Sequence, residues 1–187
     1  MRARENPFRV ERLHALRYRP PGSSWDELLD RLAALRYRGA VLGPHGSGKT
    51  AALDELAQRL PARGLHPHPR WTSAEEPPLR WSELLPLVAE LGPRDVLLFD
   101  GADLLPRSTW WRLRRATRSA GGLVIATHRA RMLPTWLRTR PSPQLLAALV
   151  AELAPGHAAD LDPLYRAHAG DLRASLRALY DAYAAGP

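Results

Sequence analysis

The chain contains no cysteine among its 187 residues, which excludes disulfides, thiolate metal sites and cysteine nucleophiles from its chemistry. Long apolar runs are missing too: none approaches the roughly 20 residues a bilayer-spanning helix requires. Nothing near the start reads as a charged leader followed by an apolar stretch, so the expectation is a soluble, cytoplasmic protein with no membrane partner. Lysine is nearly absent, with Lys49 alone and arginine at every other basic position. Such a bias fits GC-rich codon usage, so where the arginines stand matters more than how many there are. Acidic residues are missing from the whole 104–151 segment, which nonetheless carries Arg107, Arg112, Arg114, Arg115, Arg118, Arg129, Arg131, Arg138 and Arg140. The formal net charge of +8 is therefore concentrated in one segment while the remainder is close to neutral. What is present is enough for one compact unit, since 45% hydrophobic residues at this length allow a sizeable core and a small accessory subdomain.

The pattern along the chain divides into three parts. Residues 1–23 read as an arginine-rich arm broken at Asn6-Pro7-Phe8 and Pro20-Pro21-Gly22. Residues 24–140 read as an α/β core. Ser24 and Glu27 have capping-box spacing, and Leu28, Leu29, Leu32 and Leu35 then share one helical face as far as about Arg36. Gly39-Ala40-Val41-Leu42 is a short strand leading through a glycine-rich turn to a helix marked by Ala52, Leu53, Leu56 and Leu60. A second strand over Leu65 to Trp71 is confined to a sheet edge, because Pro67 and Pro69 cannot donate ladder hydrogen bonds. Trp81 to Leu91 is a helix, Val96 to Phe99 a buried strand, Arg107 to Ser119 a helix, Leu123 to Ala126 another buried strand, and a short strand falls near Thr135 to Thr139. Strands alternating with helices predict a mainly parallel sheet. Residues 141–187 are helical throughout, starting at Ser142 and Pro143 as N-cap and first helical residue, with further helices from Asp162-Pro163 and across Leu172, Leu176, Leu179 and Tyr183.

Two motifs carry the chemistry. Gly43-Pro44-His45-Gly46-Ser47-Gly48-Lys49-Thr50, followed by Ala51, matches the phosphate-binding pattern G-x-x-x-x-G-K-[ST], and it sits between a strand and a helix as the mechanism requires. Gly46 and Gly48 let backbone N–H groups and the helix N-terminus face phosphate oxygens, Lys49 reaches the β/γ-phosphates, and Thr50 ligates Mg²⁺. The second motif, Val96-Leu97-Leu98-Phe99-Asp100, delivers a carboxylate at the C-terminal end of a strand, where parallel sheets bind ligands and where Asp100 would hold Mg²⁺ through water.

With these residues the chain resembles the P-loop NTPases of the AAA+ and STAND (NACHT-like) groups, in a minimal form. Asp100-Gly101-Ala102-Asp103 looks like the D-G-x-D of STAND ATPases, which implies that Asp103 polarises the attacking water, although Leu104 stands where that group often has glutamate. The alternative for Asp103 is a loop or helix-capping carboxylate. Thr127-His128-Arg129 resembles the strand-end T-T-R of STAND proteins and the sensor-1 position of AAA+ proteins, implying γ-phosphate contacts from Thr127 and Arg129. An ordinary strand end with a solvated arginine is the competing reading. Ala169-Gly170-Asp171-Leu172-Arg173 resembles the G-[ND]-x-R of an AAA+ lid, making Arg173 a sensor-2 candidate against the alternative of a solvated first-turn arginine. The resemblance implies a three-layer α/β fold with strand order 5-1-4-3-2, a small C-terminal helical lid, and MgATP binding and hydrolysis used as a conformational switch.

Other classes stay in view. A small-molecule kinase also combines a phosphate loop with a lid, but no acceptor-binding motif is visible and the lid is C-terminal instead of inserted. A GTPase is disfavoured because the guanine-reading N-K-x-D needs a second lysine. A nucleotide-dependent binding module with little hydrolysis is a third possibility. His66-Pro67-His68 is the one close histidine pair and lacks metal-site spacing to further ligands. Trp71, Trp81, Trp110 and Trp136 read as core or interface aromatics. On the Arg107 to Ser119 helix, Trp110, Leu113 and Thr117 form the expected core side, and Arg107, Arg114, Arg115 and Arg118 surround Trp111 on the other. That face suits nucleic acid or an acidic protein partner, unless Trp111 packs against the lid or arm. A nucleotide-dependent homo-oligomer is also expected.

Overall fold

The computed structural model describes residues 6–157 and 159–185. Residues 1–5 of the expected arm and 158, 186 and 187 of the expected lid lie outside the described residues. Eight α-helices run in chain order among the described residues: α1 Val10–Ala15, α2 Trp25–Ala34, α3 Lys49–Arg59, α4 Trp81–Ala89, α5 Arg107–Ala116, α6 Pro143–Leu153, α7 Asp162–Ala167 and α8 Leu172–Ala185. Five strands, β1 Arg38–Leu42, β2 His66–Trp71, β3 Asp95–Asp100, β4 Gly122–Thr127 and β5 Thr135–Arg138, form one sheet in the order β2-β3-β4-β1-β5. Every neighbouring pair is parallel. This is the expected 5-1-4-3-2 order seen from the other edge, and the proline-bearing β2 is the edge strand.

Alternation along the strands sorts the core into two layers. Val41, Val96, Leu98, Val124 and Ala126 point to the side covered by α2 and α3. Ala40, Leu97, Phe99, Leu123 and Ile125 point to the side covered by α4 and α5. The central strands are buried on both faces, which is why their sequences are continuously apolar. Helix starts follow local chemistry. Ser24 and Glu27 form both halves of the capping box on α2, and Ser142 Oγ accepts from Leu145 N–H at 3.1 Å on α6.

Local departures have local causes. α3 ends at Arg59, and Pro61 falls at the start of a 3₁₀ turn over Leu60–Arg63, where its missing N–H would be unsatisfied anyway. α5 stops at Ala116, with Thr117 buried and its hydroxyl donating back to Leu113 O at 2.9 Å. Trp136 is core and donates Nε1 to Leu28 O at 2.7 Å, whereas Trp71 is 66% exposed on the edge strand. A third apolar cluster joins Leu146, Val150 and Leu153 of α6 to Leu172, Leu176 and Leu179 of α8, and it includes Phe8. The segment expected as a bare arm thus contributes a helix, α1, and a fully buried aromatic.

Candidate functional site

The C-terminal end of β1 opens into the loop Gly43 to Gly48, and α3 begins at Lys49. Gly46 at φ +61° and Gly48 at φ +88° take left-handed backbone, which a side chain would strain, so the loop can curl tightly before the helix. Ser47 is buried, with Oγ donating to Pro44 O at 2.8 Å and lying 2.6 Å from Thr139 Oγ1, so the loop is pinned to the end of β5.

Lys49 is largely buried, and its ammonium donates to Gly43 O at 3.1 Å and Pro44 O at 2.7 Å, with His128 Nδ1 at 3.3 Å. Burial lowers its pKa, with Arg173 working in the same direction, while Asp100, Asp103 and Asp171 pull it back up. Residues 100, 103, 171 and 173 are therefore gathered within electrostatic reach of one ammonium. Thr50 Oγ1 donates to Asp100 Oδ2 at 2.5 Å, joining the start of α3 to the end of β3. Asp103 follows in a short 3₁₀ turn after Gly101, and its Oδ1 is buried without a hydrogen-bond partner among the described residues. An unpaired carboxylate oxygen beside a buried lysine, and a hydroxyl and carboxylate in contact, fit a site for a cation, a polarised water and phosphate oxygens.

The other expected site residues are placed less uniformly. Thr127 is fully buried, and its hydroxyl is engaged in its own turn, donating to Arg129 O at 3.3 Å and accepting from Arg129 N–H at 2.9 Å. Arg129 is exposed and forms no ion pair among the described residues. His128 instead reaches the loop: its Nδ1 is 2.9 Å from Gly43 O, and its ring lies 3.7 Å from that of His45. Burial lowers the His128 pKa, helped by Lys49 and His45, which favours the neutral imidazole. Arg173 stands exposed in the first turn of α8.

Three neighbours of the loop were not singled out from sequence. The Asp171 carboxylate occupies the place a Cβ on Gly46 would take, and its Oδ1 caps α8 by accepting from Ala174 N–H at 2.9 Å. It lies inside the quoted lid motif, which was read for its arginine alone. Tyr18 places its ring 3.6 Å from a Cβ built on Gly48, and burial raises its hydroxyl pKa to about 12. Thr139 has a positional signal, since it directly follows β5 on the ligand-binding side of a parallel sheet. Tyr18 has no sequence signal beyond being aromatic.

The expected basic face of α5 divides in two. Trp111, Arg115 and Arg118 line one groove together with Arg112, Ala116 and Trp81. Arg114 turns towards a second groove with Arg131, Met132 and Arg138. Arg107 is exposed and lines neither groove.

The structure is similar to solved structures of RuvB from Thermotoga maritima, described as a Holliday junction branch migration motor. One has a TM-score of 0.58 at 19% identity, covering 82% of this chain and 58% of that chain. Point variants of the same protein have TM-scores of 0.58 at 18% identity, covering 88% and 64%, and 0.55 at 19% identity, covering 82% and 58%. The fold is accordingly the α/β fold of the RuvB structures, and the chain spans about three fifths of their length. No protein-family model and no curated protein matches the sequence.

Proposed function

On this RuvB-like fold, we propose that the chain is an ATPase that uses MgATP binding and hydrolysis as a conformational switch. The observation that carries the reading is the Thr50 Oγ1 to Asp100 Oδ2 contact at 2.5 Å, formed beside Lys49 between residues 50 positions apart. Hydroxyl, carboxylate and ammonium are the donor set that Mg²⁺ and a triphosphate need together. Thr50 and Asp100 would hold the cation, which when bound neutralises charge on the β- and γ-phosphates. Lys49 would exchange its contacts with the Gly43 and Pro44 carbonyls for phosphate oxygens. The backbone N–H groups of residues 45–51 would line the phosphates at the start of α3, Pro44 having none to offer. Asp103, with one carboxylate oxygen unpaired, would orient and polarise the attacking water. Arg173, with Arg129 in a lesser part, would report the γ-phosphate to the lid, and Thr127 would act indirectly by shaping the turn that presents His128. ATP is favoured over GTP because no N-K-x-D is possible with Lys49 as the single lysine.

A second reading, a nucleotide-dependent binding module with little hydrolysis, is favoured by Asp171 lying against the phosphate loop at Gly46. The likeness to RuvB makes nucleic acid the first partner to test and nucleotide-dependent self-assembly the second. Calorimetry and phosphate release test the site directly. Lys49→Ala should lose MgATP binding, and Asp100→Asn should keep nucleotide while hydrolysing it poorly. Phosphate release without any added acceptor separates an ATPase from a small-molecule kinase. Undiminished ATP affinity in a folded Lys49→Ala chain refutes the assignment.

A further inference from the structure

The strongest unassigned feature lies away from the nucleotide loop. The groove of about 540 Å³ lined by Trp81, Trp111, Arg112, Arg115, Ala116 and Arg118 is on the α4 and α5 side of the sheet, whereas α3 covers the opposite side. Trp111 is 63% exposed, although Thr109, Leu113 and Thr117 of the same stretch are buried. A lone exposed apolar side chain is ordinary; an exposed indole set beside a second indole and between unpaired cations is not.

We propose that this groove binds single-stranded nucleic acid, with Trp111 stacking on an unpaired base and Arg112, Arg115 and Arg118 holding successive phosphates.

Three observations select that occupant. First, Arg112, Arg115 and Arg118 recur every third residue, and neither they nor Arg114 form an ion pair among the described residues. No carboxylate occurs anywhere in the 104–151 segment to neutralise them. Second, Arg118 already stands within electrostatic reach of another cation, Arg38. Arg38, whose guanidinium donates to Thr117 O, has its pKa lowered first by burial and then by Arg114 and Arg118. An incoming polyanion relieves that repulsion. Third, arginine and tryptophan side chains are donors without acceptors, so the ligand must bring acceptor oxygens and, to cover the indoles, flat π-faces. A strand of phosphates and unpaired bases offers both. An acidic peptide brings carboxylates but leaves the indoles unstacked, and a duplex hides its base faces. Stacking and phosphate contacts read neither the 2′-hydroxyl nor its absence, so they accept RNA and DNA alike. The inference stands independently of the ATPase reading, because no residue of the phosphate loop takes part.

Fluorescence anisotropy with a labelled oligothymidylate of about 20 nucleotides tests it, in the absence of ATP. Three phosphate contacts predict that affinity falls roughly 20-fold between about 50 and 200 mM salt. Arg112, Arg115 and Arg118 replaced together by Gln should remove most of the binding and most of that salt slope. Trp111→Ala should weaken single-strand binding by roughly 5-fold to 100-fold while leaving binding to a duplex of the same length unchanged. All four side chains are exposed, so these variants should fold, and an unchanged melting temperature checks that they do. An oligouridylate should bind within about threefold of the oligothymidylate, as expected for stacking and phosphate contacts alone. The proposal is overturned if the wild type binds no single strand at low salt, if a duplex or polyglutamate binds as tightly, or if the Trp111 and arginine variants bind like the wild type.

Discussion

At the position of Asp171, two requirements of one residue pull against each other. As the cap of α8 its carboxylate satisfies Ala174 N–H, which stabilises the lid helix by roughly 1 kcal/mol. As a neighbour of Gly46 the same charge stands against the loop proposed to receive phosphates, and it raises the proton affinity of Lys49 by attraction. Asparagine would serve the first role almost as well and remove the second. Asp171→Asn should therefore tighten MgATP binding by about fivefold or more, corresponding to roughly 1 kcal/mol of relieved repulsion at a hydrated site. Its melting temperature should stay close to that of the wild type. Calorimetry showing unchanged affinity would mean that Asp171 has already left the loop when nucleotide enters. Within the proposed site, Lys49, Thr50, Asp100 and Asp103 were legible because each belongs to a motif at a strand end, and a parallel sheet brings such ends to one edge. Tyr18 comes to the loop through tertiary packing that no spacing encodes, whereas Asp171 and His128 lie inside motifs whose other residues drew the reading.

The same contrast appears among the elements. β1, β3 and β4 were readable because double-sided burial demands uninterrupted apolar runs, and β2 because two prolines restrict it to an edge. α1 was not, since its six residues Val10–Ala15 hold too short a pattern to separate from an irregular arm. On α5 the helical period identified the exposed Trp111 but merged two grooves into one face, because a wheel shows angles and not what neighbouring helices cover. The start of α8 carries the proposed link between nucleotide and lid. Arg173 in its first turn opposes the helix dipole, a cost that an anionic ligand reverses, and it already lowers the proton affinity of Lys49. Arg173→Ala should narrow the difference between ATP and ADP affinities while leaving thermal stability within about 0.5 kcal/mol of the wild type. If both affinities and the hydrolysis rate are unchanged, Arg173 is only a surface residue.

Across the whole molecule, the N-terminal segment links what the sequence divides into arm, core and lid. Asn6 Nδ2 donates to Tyr180 O at 2.8 Å, and Phe8 is buried among Leu146, Leu153 and Leu176, its ring edge-on to Tyr183 at 5.2 Å. Ten residues later Tyr18 lies against Gly48 of the phosphate loop. The Tyr18 carbonyl accepts from Trp25 Nε1 at 3.2 Å, and Trp25 in turn meets the buried Trp136 of the sheet at 6.4 Å. One stretch of chain thus runs from the lid core, past the nucleotide loop, into the α/β core. Because Phe8 is part of the lid cluster and touches none of the sheet's own clusters, its loss should be felt by the lid first. Phe8→Ala should cost about 3 kcal/mol or more in the lid, the usual range for removing a buried aromatic. Amide hydrogen exchange should then show protection falling in α6 and α8 while β3 and β4 keep theirs. ATP affinity should weaken less than in Lys49→Ala, since the loop itself stays formed. An equal loss of protection in the lid and the sheet would show instead that the two unfold as one cooperative unit, and that the N-terminal segment is no separate tie between them.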